Sequence, residues 1–234
     1  MKSCLWYTCR RDVEPMSNPK TIPDLDRFAF FHGLPPAFLQ TWKRNFSRMS
    51  FTKRQRLVFP SSCSDVIFFV LSGKVKIAYT SEDGKEFAIA ILSAGEVYSE
   101  HSLALATAIE KTEVLYVSMA DFKAMMDECP ELARHLVRLL GKILRLTNDL
   151  IVDLAFRETS SRLARVFRRT MQGKNDNAIY LTHEELASLS GSTRQTINEI
   201  LRHWEQQGIV ALHRGYVVLL LPERLWEKIS HEYS

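Results

Sequence analysis

Residues 182–208, THEELASLSGSTRQTINEILRHWEQQG, spell two consecutive helix starts around one tight turn. Thr182 followed three residues later by Glu185, and Ser192 followed by Gln195, each have the form of a capping box, in which two side chains satisfy orphan amides at a helix N-terminus. Gly191 between them is placed to end the first helix in the left-handed conformation. On the second helix Ile197, Ile200, Leu201 and Trp204 recur at helical spacing, so one face is expected to be buried while Arg194, Gln195, Asn198, Glu199 and Arg202 stay outside. The pattern is that of a helix-turn-helix, whose second helix enters the major groove of double-stranded DNA. There Arg pairs bidentately with guanine, and Gln or Asn with adenine. After Gly208, IVALHRGYVVLLL reads as two short strands joined by a turn at His213 to Gly215, a wing beside that helix.

Working outward, charge adds little to the case for DNA. From Glu158 to the C-terminus there are 10 basic and 9 acidic residues, a balance of +1, which lacks the strongly basic signature of a non-specific binder. The chain as a whole carries +4 over 234 residues, but residues 1–60 hold 11 basic and 4 acidic groups and residues 61–130 hold 5 and 11. The acidic middle is not expected to touch DNA. Length and composition suit two domains. No apolar run reaches the length of a membrane span and the N-terminus has no signal-peptide pattern, so a cytoplasmic protein that makes no membrane contact is expected.

Between about Phe51 and Met119 short apolar runs alternate with turn signals, and Gly73, Gly84 and Gly95 fall at equal spacing. Antiparallel strands closing into a small jelly roll are expected, with Asp83–Gly84 as a hairpin turn. Pro130 opens a helical pattern to about Phe156, in which Val137, Leu140, Leu144, Thr147, Ile151 and Leu154 are separated by alternating three and four residues. A helix of about 26 residues is about 40 Å long, more than a small barrel covers, so part of this seam is expected to meet a second copy of the chain. A two-fold dimer would set two reading helices on a palindrome.

Jelly roll, long helix and winged helix-turn-helix in that order resemble the CRP/FNR family of bacterial transcription regulators from about Phe28 to the C-terminus. The motifs LSGKVKI, SAGE, DLAF and GSTRQTI carry the resemblance. It implies an α+β chain with an N-terminal extension over 1–27, an effector-binding jelly roll over 28–129, a dimerisation helix over 130–157 and a winged helix-turn-helix over 158–234. It also implies a homodimer that binds a palindromic operator and works with RNA polymerase. The DNA contacts expected are Thr182, Ser192, Thr193, Arg194, Gln195, Asn198, Glu199 and Arg202, of which Arg194 and Gln195 match positions where the family contacts bases. Glu199 departs from the arginine common at that position in the nucleotide-dependent members, so a different base sequence is expected to be read.

The effector is read from EFAIAILSAGEVYSEHSLALATAIEKTEVLY. Nucleotide-binding members hold the ribose with a glycine-glutamate pair, here Ser99 and Glu100, and the phosphate with an arginine-serine pair. The matching stretch here is shortened and has no arginine, so a cyclic phosphate would be desolvated without a countercharge and cyclic AMP is disfavoured. Thr147 matches a helix position that touches the base in those members. The same stretch looks closest to the haem-containing carbon monoxide sensors of the family, in which a cysteine and, two residues later, a histidine are alternative iron ligands. His101 matches that histidine and Ser99 stands in the cysteine's place. The resemblance therefore implies haem held by His101 through a neutral imidazole, with Leu140, Gly141 and Leu144 walling the gas side. Met16 is a candidate start that would shorten the N-terminus to the usual length.

Two other readings stay open. Cys4, Cys9, Cys63 and Cys129 are too scattered for a disulfide scaffold, but a thiol-redox signal, or a non-haem small molecule, would suit the same regulator class. A jelly-roll metal enzyme needs clustered histidines and carboxylates, and the seven histidines here are dispersed, so no enzymatic activity is expected.

Overall fold

A computed structural model of the chain describes residues 22–60, 65–99, 104–171 and 176–230. The N-terminal half is a sandwich of two antiparallel sheets. One sheet has the order β1 (Ser47–Phe51), β7 (Thr112–Ser118), β2 (Val66–Ser72), β5 (Val97–Ser99); the other has β4 (Glu86–Ser93), β3 (Lys74–Thr80), β6 (Leu105–Ala108). Strand β2 explains the layering. Val66–Leu71 is an unbroken apolar run, buried on both faces, and the alternation of side chains divides it between two cores. Val66, Phe68 and Val70 pack across the sandwich with Val75, Ile77, Leu92 and Ala106. Ile67, Phe69 and Leu71 face outward into a second core with Phe28, Phe31, Phe46, Phe122 and Met125.

That second core is a helical layer formed by the short turns 25–27 and 29–31, α1 (Pro36–Trp42) and α2 (Met119–Glu128). Phe69 is its hub, with the rings of Phe28, Phe30, Phe31 and Phe46 at centroid distances of 5.0 to 6.1 Å. The turn between β2 and β3 depends on Gly73. Its φ is +80°, and a Cβ there would lie 2.4 Å from the Lys111 carbonyl oxygen, so only glycine fits.

Helix α3 (Pro130–Phe156) runs for 27 residues, and its buried residues are Leu132 and Asp153. The expected seam is left open in the single chain, with Val137 at 68%, Leu144 at 62% and Ile151 at 58% exposure. The C-terminal unit comprises α4 (Thr159–Met171), α5 (His183–Ser190), α6 (Arg194–Gln206) and α7 (Pro222–Ser230). Its sheet has the order β8 (Ala178–Ile179), β10 (Tyr216–Leu219), β9 (Val210–His213). Its core gathers Leu163, Phe167, Leu186, Ile197, Leu201, Trp204, Val217 and Leu225, with Phe167 edge-on to Trp204 at 5.8 Å.

The structure differs from the sequence expectation in four elements. The sandwich begins at Ser47 rather than Phe51, because β1 pairs along its whole length with β7. The wing gains a third strand, β8, two residues long and too short to carry a period-2 signal. Helix α7 also follows the wing. Finally, Thr193 and not Ser192 caps α6: its hydroxyl accepts from Thr196 N at 3.2 Å, and Gln195 turns away to Glu199 instead of closing a capping box.

Candidate nucleic-acid interface and effector segment

The turn between α5 and α6 is built from both sides. At the start of α5 the Thr182 hydroxyl accepts from Glu185 N at 3.2 Å and the Glu185 carboxylate accepts from Thr182 N at 2.7 Å, a complete capping box. At its end Gly191 has φ +61° and ψ +46°, and a Cβ there would lie 2.7 Å from Leu154 Cδ2 and 3.2 Å from Phe87. Arg162 of α4 secures the turn from below, donating to the Ser190 carbonyl and the Arg157 carbonyl, each at 2.7 Å. Helix α6 then buries Ile197, Leu201 and Trp204 and leaves Arg194, Gln195, Glu199 and Arg202 exposed. Seven of the eight sequence-predicted DNA residues, Ser192 to Arg202, thus lie along the turn and α6; Thr193 is the cap, and Asn198 is half-buried. Thr182 sits at the start of the neighbouring helix, and Ser192 lies in the turn itself.

Two features on this surface were not anticipated from the sequence. His183, the first residue of α5, reaches across to α6, where its Nδ1 is hydrogen-bonded to Asn198 Oδ1; no local pattern signals a contact fifteen residues away. On the wing, the rings of His213 and Tyr216 stack at 4.7 Å, with Tyr180 beside Tyr216 at 5.5 Å.

The joint between α3 and the C-terminal unit is a buried ionic cluster. Asp153 and Arg157 have side chains only 4% exposed, with Arg157 Nε 2.9 Å from Asp153 Oδ1. Arg165 Nε lies 3.5 Å from the same oxygen, and Arg169 Nη2 bonds Oδ2. Burial pushes the Arg165 guanidinium below its usual value; Asp153 opposes this, and the nearby Arg157, Arg168 and Arg169 add to it. One carboxylate therefore faces three guanidinium groups. A signal was present in the sequence: an aspartate within an apolar helical stretch, an arginine four residues on, and an arginine-rich helix after it.

In the sandwich, Ser99 closes β5, paired with Ile67 of β2. His101 and its neighbours 100–103 lie outside the described residues, as do Cys4, Cys9, Met16 and Cys63; Cys129 is buried at the start of α3. Beyond that segment Ala104, Ala106 and Ala108 are buried, and Lys111, the one cation in the sequence between 99 and 113, is exposed in the turn before β7. Leu140, Gly141, Leu144 and Thr147 lie on the exposed stretch of α3; a Cβ on Gly141 would meet nothing within 4 Å. The packing of α3 on the N-terminal half is concentrated at its other end, against α2 and residues 29–31. Among the described residues, no helix is long and apolar enough to cross a membrane.

A double-sheet sandwich joined by a long helix to a winged helix-turn-helix defines the class: a two-domain DNA-binding regulator. The comparisons with known proteins then specify it. Residues 161–228 match the Crp-like helix-turn-helix domain and residues 48–129 the cyclic nucleotide-binding domain. The chain is 31% identical over 195 residues to the cyclic AMP receptor protein of Thermus thermophilus, covering 80% of this chain and 90% of that protein. It is 27% identical over 215 residues to the CRP-like cAMP-activated global transcriptional regulator of Mycobacterium tuberculosis, covering 86% and 96%. In fold it is similar to a variant of CooA from Carboxydothermus hydrogenoformans, with a TM-score of 0.72 at 24% identity over 91% of this chain and 97% of that one. The chain belongs to the CRP/FNR family of transcription regulators, a family of DNA-binding proteins and not of enzymes.

Proposed function

We propose that this regulator acts in the cytoplasm as a homodimer, reads a palindromic operator with two copies of α6, engages RNA polymerase, and is gated by carbon monoxide or another diatomic gas through a haem held by His101. The dimer is supported by the open seam on α3. Val137, Leu140, Leu144, Ile151 and Leu154 are all more than 40% exposed in the single chain. Burying them in both protomers at about 1 kcal/mol each gives on the order of 10 kcal/mol before the cost of association.

The effector reading is carried by the chemistry of residues 99–113. That stretch holds a histidine two residues after β5, three buried alanines, and no cation except the exposed Lys111. Residues 104–109 carry no cation of their own, and Arg56, bridged to Thr107, is exposed, which suits a porphyrin better than a cyclic phosphate. Haem, when bound, supplies the iron at which a gas coordinates. His101 would hold it through a neutral imidazole nitrogen, and Ser99, protonated at neutral pH, would contribute no anionic ligand. Leu140, Gly141 and Leu144 would form the apolar wall on the α3 side, so that occupancy of the pocket biases the position of that helix.

A second reading, a cyclic nucleotide, is favoured by the match of 48–129 to the cyclic nucleotide-binding domain and by the relatives named for cyclic AMP. The visible spectrum of protein purified with haem supplied separates the two. The gas reading expects a sharp Soret band that shifts with CO in the wild type and is altered in His101→Ala, with a thiolate-type ferric spectrum appearing only in Ser99→Cys. Failure of the wild type to take up haem, together with saturable binding of cyclic AMP, would replace the gas by the nucleotide.

A further inference from the structure

The polar side chains on the outer face of α6 form two rows at helical i, i+4 spacing. Arg194, Asn198 and Arg202 make one row; Gln195 and Glu199 make the other. Arginine only donates hydrogen bonds and an ionised glutamate only accepts them, but an asparagine or glutamine amide can do either. Each of the two amides is held. Asn198 Oδ1 is bonded to His183 Nδ1; because an amide oxygen only accepts, this bond calls for the tautomer with the proton on Nδ1, and it leaves the Asn198 NH2 group outside the contact. Gln195 Nε2 donates to Glu199 Oε1 at 3.1 Å, which turns the Gln195 carbonyl oxygen away from Glu199.

We propose that His183 is a positioning residue for base reading: by holding Asn198, and with Glu199 holding Gln195, it makes α6 present a donor row (Arg194, Asn198, Arg202) beside an acceptor row (Gln195, Glu199). This rests on the reading of α6 as the helix that enters the major groove. The consequence lies in which bases are accepted. In the major groove guanine offers N7 and O6 and thymine O4 as acceptors, whereas adenine N6 and cytosine N4 are donors. An unrestrained asparagine pairs with adenine, taking the N6 hydrogen on its oxygen and giving one of its own to N7. Asn198, with its oxygen engaged by His183, offers its NH2 first and selects guanine or thymine. Gln195 offers its carbonyl first and selects adenine or cytosine, as Glu199 does beside it. The hold on Asn198 is not visible from α6 alone, since the histidine belongs to the preceding helix.

The test is selection of a motif by the full-length protein from a pool of duplexes with a randomised core of about 20 base pairs, a length that spans two half-sites one helical turn apart. It is run without effector, with haem and CO, and with cyclic AMP. Asn198→Ala identifies the position that Asn198 reads, as the one whose preference disappears. At that position the wild type is expected to select guanine or thymine. His183→Ala is expected to raise adenine there about tenfold relative to wild type, the equivalent of one good base contact, with affinity for non-specific duplex unchanged. His183→Gln, whose amide can still donate to Asn198, is expected to keep the wild-type motif. Glu199→Ala, at an exposed position, tests the second row independently of whether His183→Ala folds: the base read by Gln195 should lose its preference for adenine or cytosine. Adenine selected by the wild type at the Asn198 position, or a motif unchanged in His183→Ala and Glu199→Ala, overturns the proposal. A wild type that enriches no motif in any condition instead overturns the DNA-reading function on which it rests.

Discussion

Asp153→Ala is expected to be the most destabilising single substitution in the joint between α3 and α4. Its carboxylate is 4% exposed and faces Arg157, also 4% exposed, with Arg165 at 16% and Arg169 at 36%. Removing it takes the carboxylate from the buried Arg157 guanidinium and leaves three like charges facing one another. Breaking a buried pair in this way costs about 3–5 kcal/mol. Arg169 adds little to that figure, because a third of its side chain already meets water and it can swing outward. With a urea slope of about 2–3 kcal/mol/M, the midpoint of unfolding should fall by about 1–2 M. The assay is urea unfolding followed by tryptophan fluorescence in a Trp42→Phe background, where Trp204 and Trp226 report the core of the C-terminal unit. The double variant Asp153→Leu/Arg157→Met replaces the most deeply buried pair and should recover part of the loss, since apolar replacement of a buried pair is close to neutral, while Arg165 and Arg169 still lack the carboxylate. A fall of less than about 0.4 M in Asp153→Ala, about 1 kcal/mol at that slope, or no recovery in the double variant, would refute the view that this carboxylate holds the joint.

Three further outcomes follow from the same structure. Replacing Leu144 and Ile151 together with Lys places like charges across the expected seam and should give monomers in sedimentation; an intact dimer would mean that the exposed face of α3 is not the interface. Arg194→Ala should cost about 1–3 kcal/mol on a selected duplex and relax preference at one guanine, whereas equal weakening on every sequence would make Arg194 a phosphate contact. Gly73→Ala and Gly95→Ala both force a left-handed backbone on alanine, at about 1–2 kcal/mol, but only at Gly73 would the new Cβ lie 2.4 Å from a backbone oxygen. Thermal unfolding should therefore drop further for Gly73→Ala, and equal drops would refute the steric argument.

The parts of the fold that repeat a local period were legible in the sequence. The α5–α6 unit announces itself through Thr182–Glu185 and Gly191, and α3 through Pro130 and its seam, because capping and periodicity act over a few residues. What escaped depends on contacts distant in sequence or on elements too short to show a period. The two-residue β8 exists because it pairs with β10, and the helical layer on β2 exists because Phe69 gathers phenylalanines from three other segments. The candidate site divides in the same way. Arg194, Gln195, Glu199 and Arg202 were predictable as an exposed face, but the cap at Thr193 displaced the expected one at Ser192 because the chain leaves the turn one residue later. The hold of His183 on Asn198, and of Asp153 on Arg165 and Arg169 beyond its local pair with Arg157, arises only when separate helices meet.

The central claim, that occupancy of the sandwich governs base reading by α6, is tested most directly by measuring the affinity of the 234-residue protein for a selected palindromic duplex by fluorescence anisotropy. The same haem-supplied, reduced protein is titrated with and without CO, and in parallel with cyclic AMP. The predicted result is tighter binding with CO, by tenfold or more if the coupling exceeds about 1.4 kcal/mol, no change with cyclic AMP, and loss of the CO effect in His101→Ala. Binding that is indifferent to CO, or that tightens with cyclic AMP alone, would contradict it.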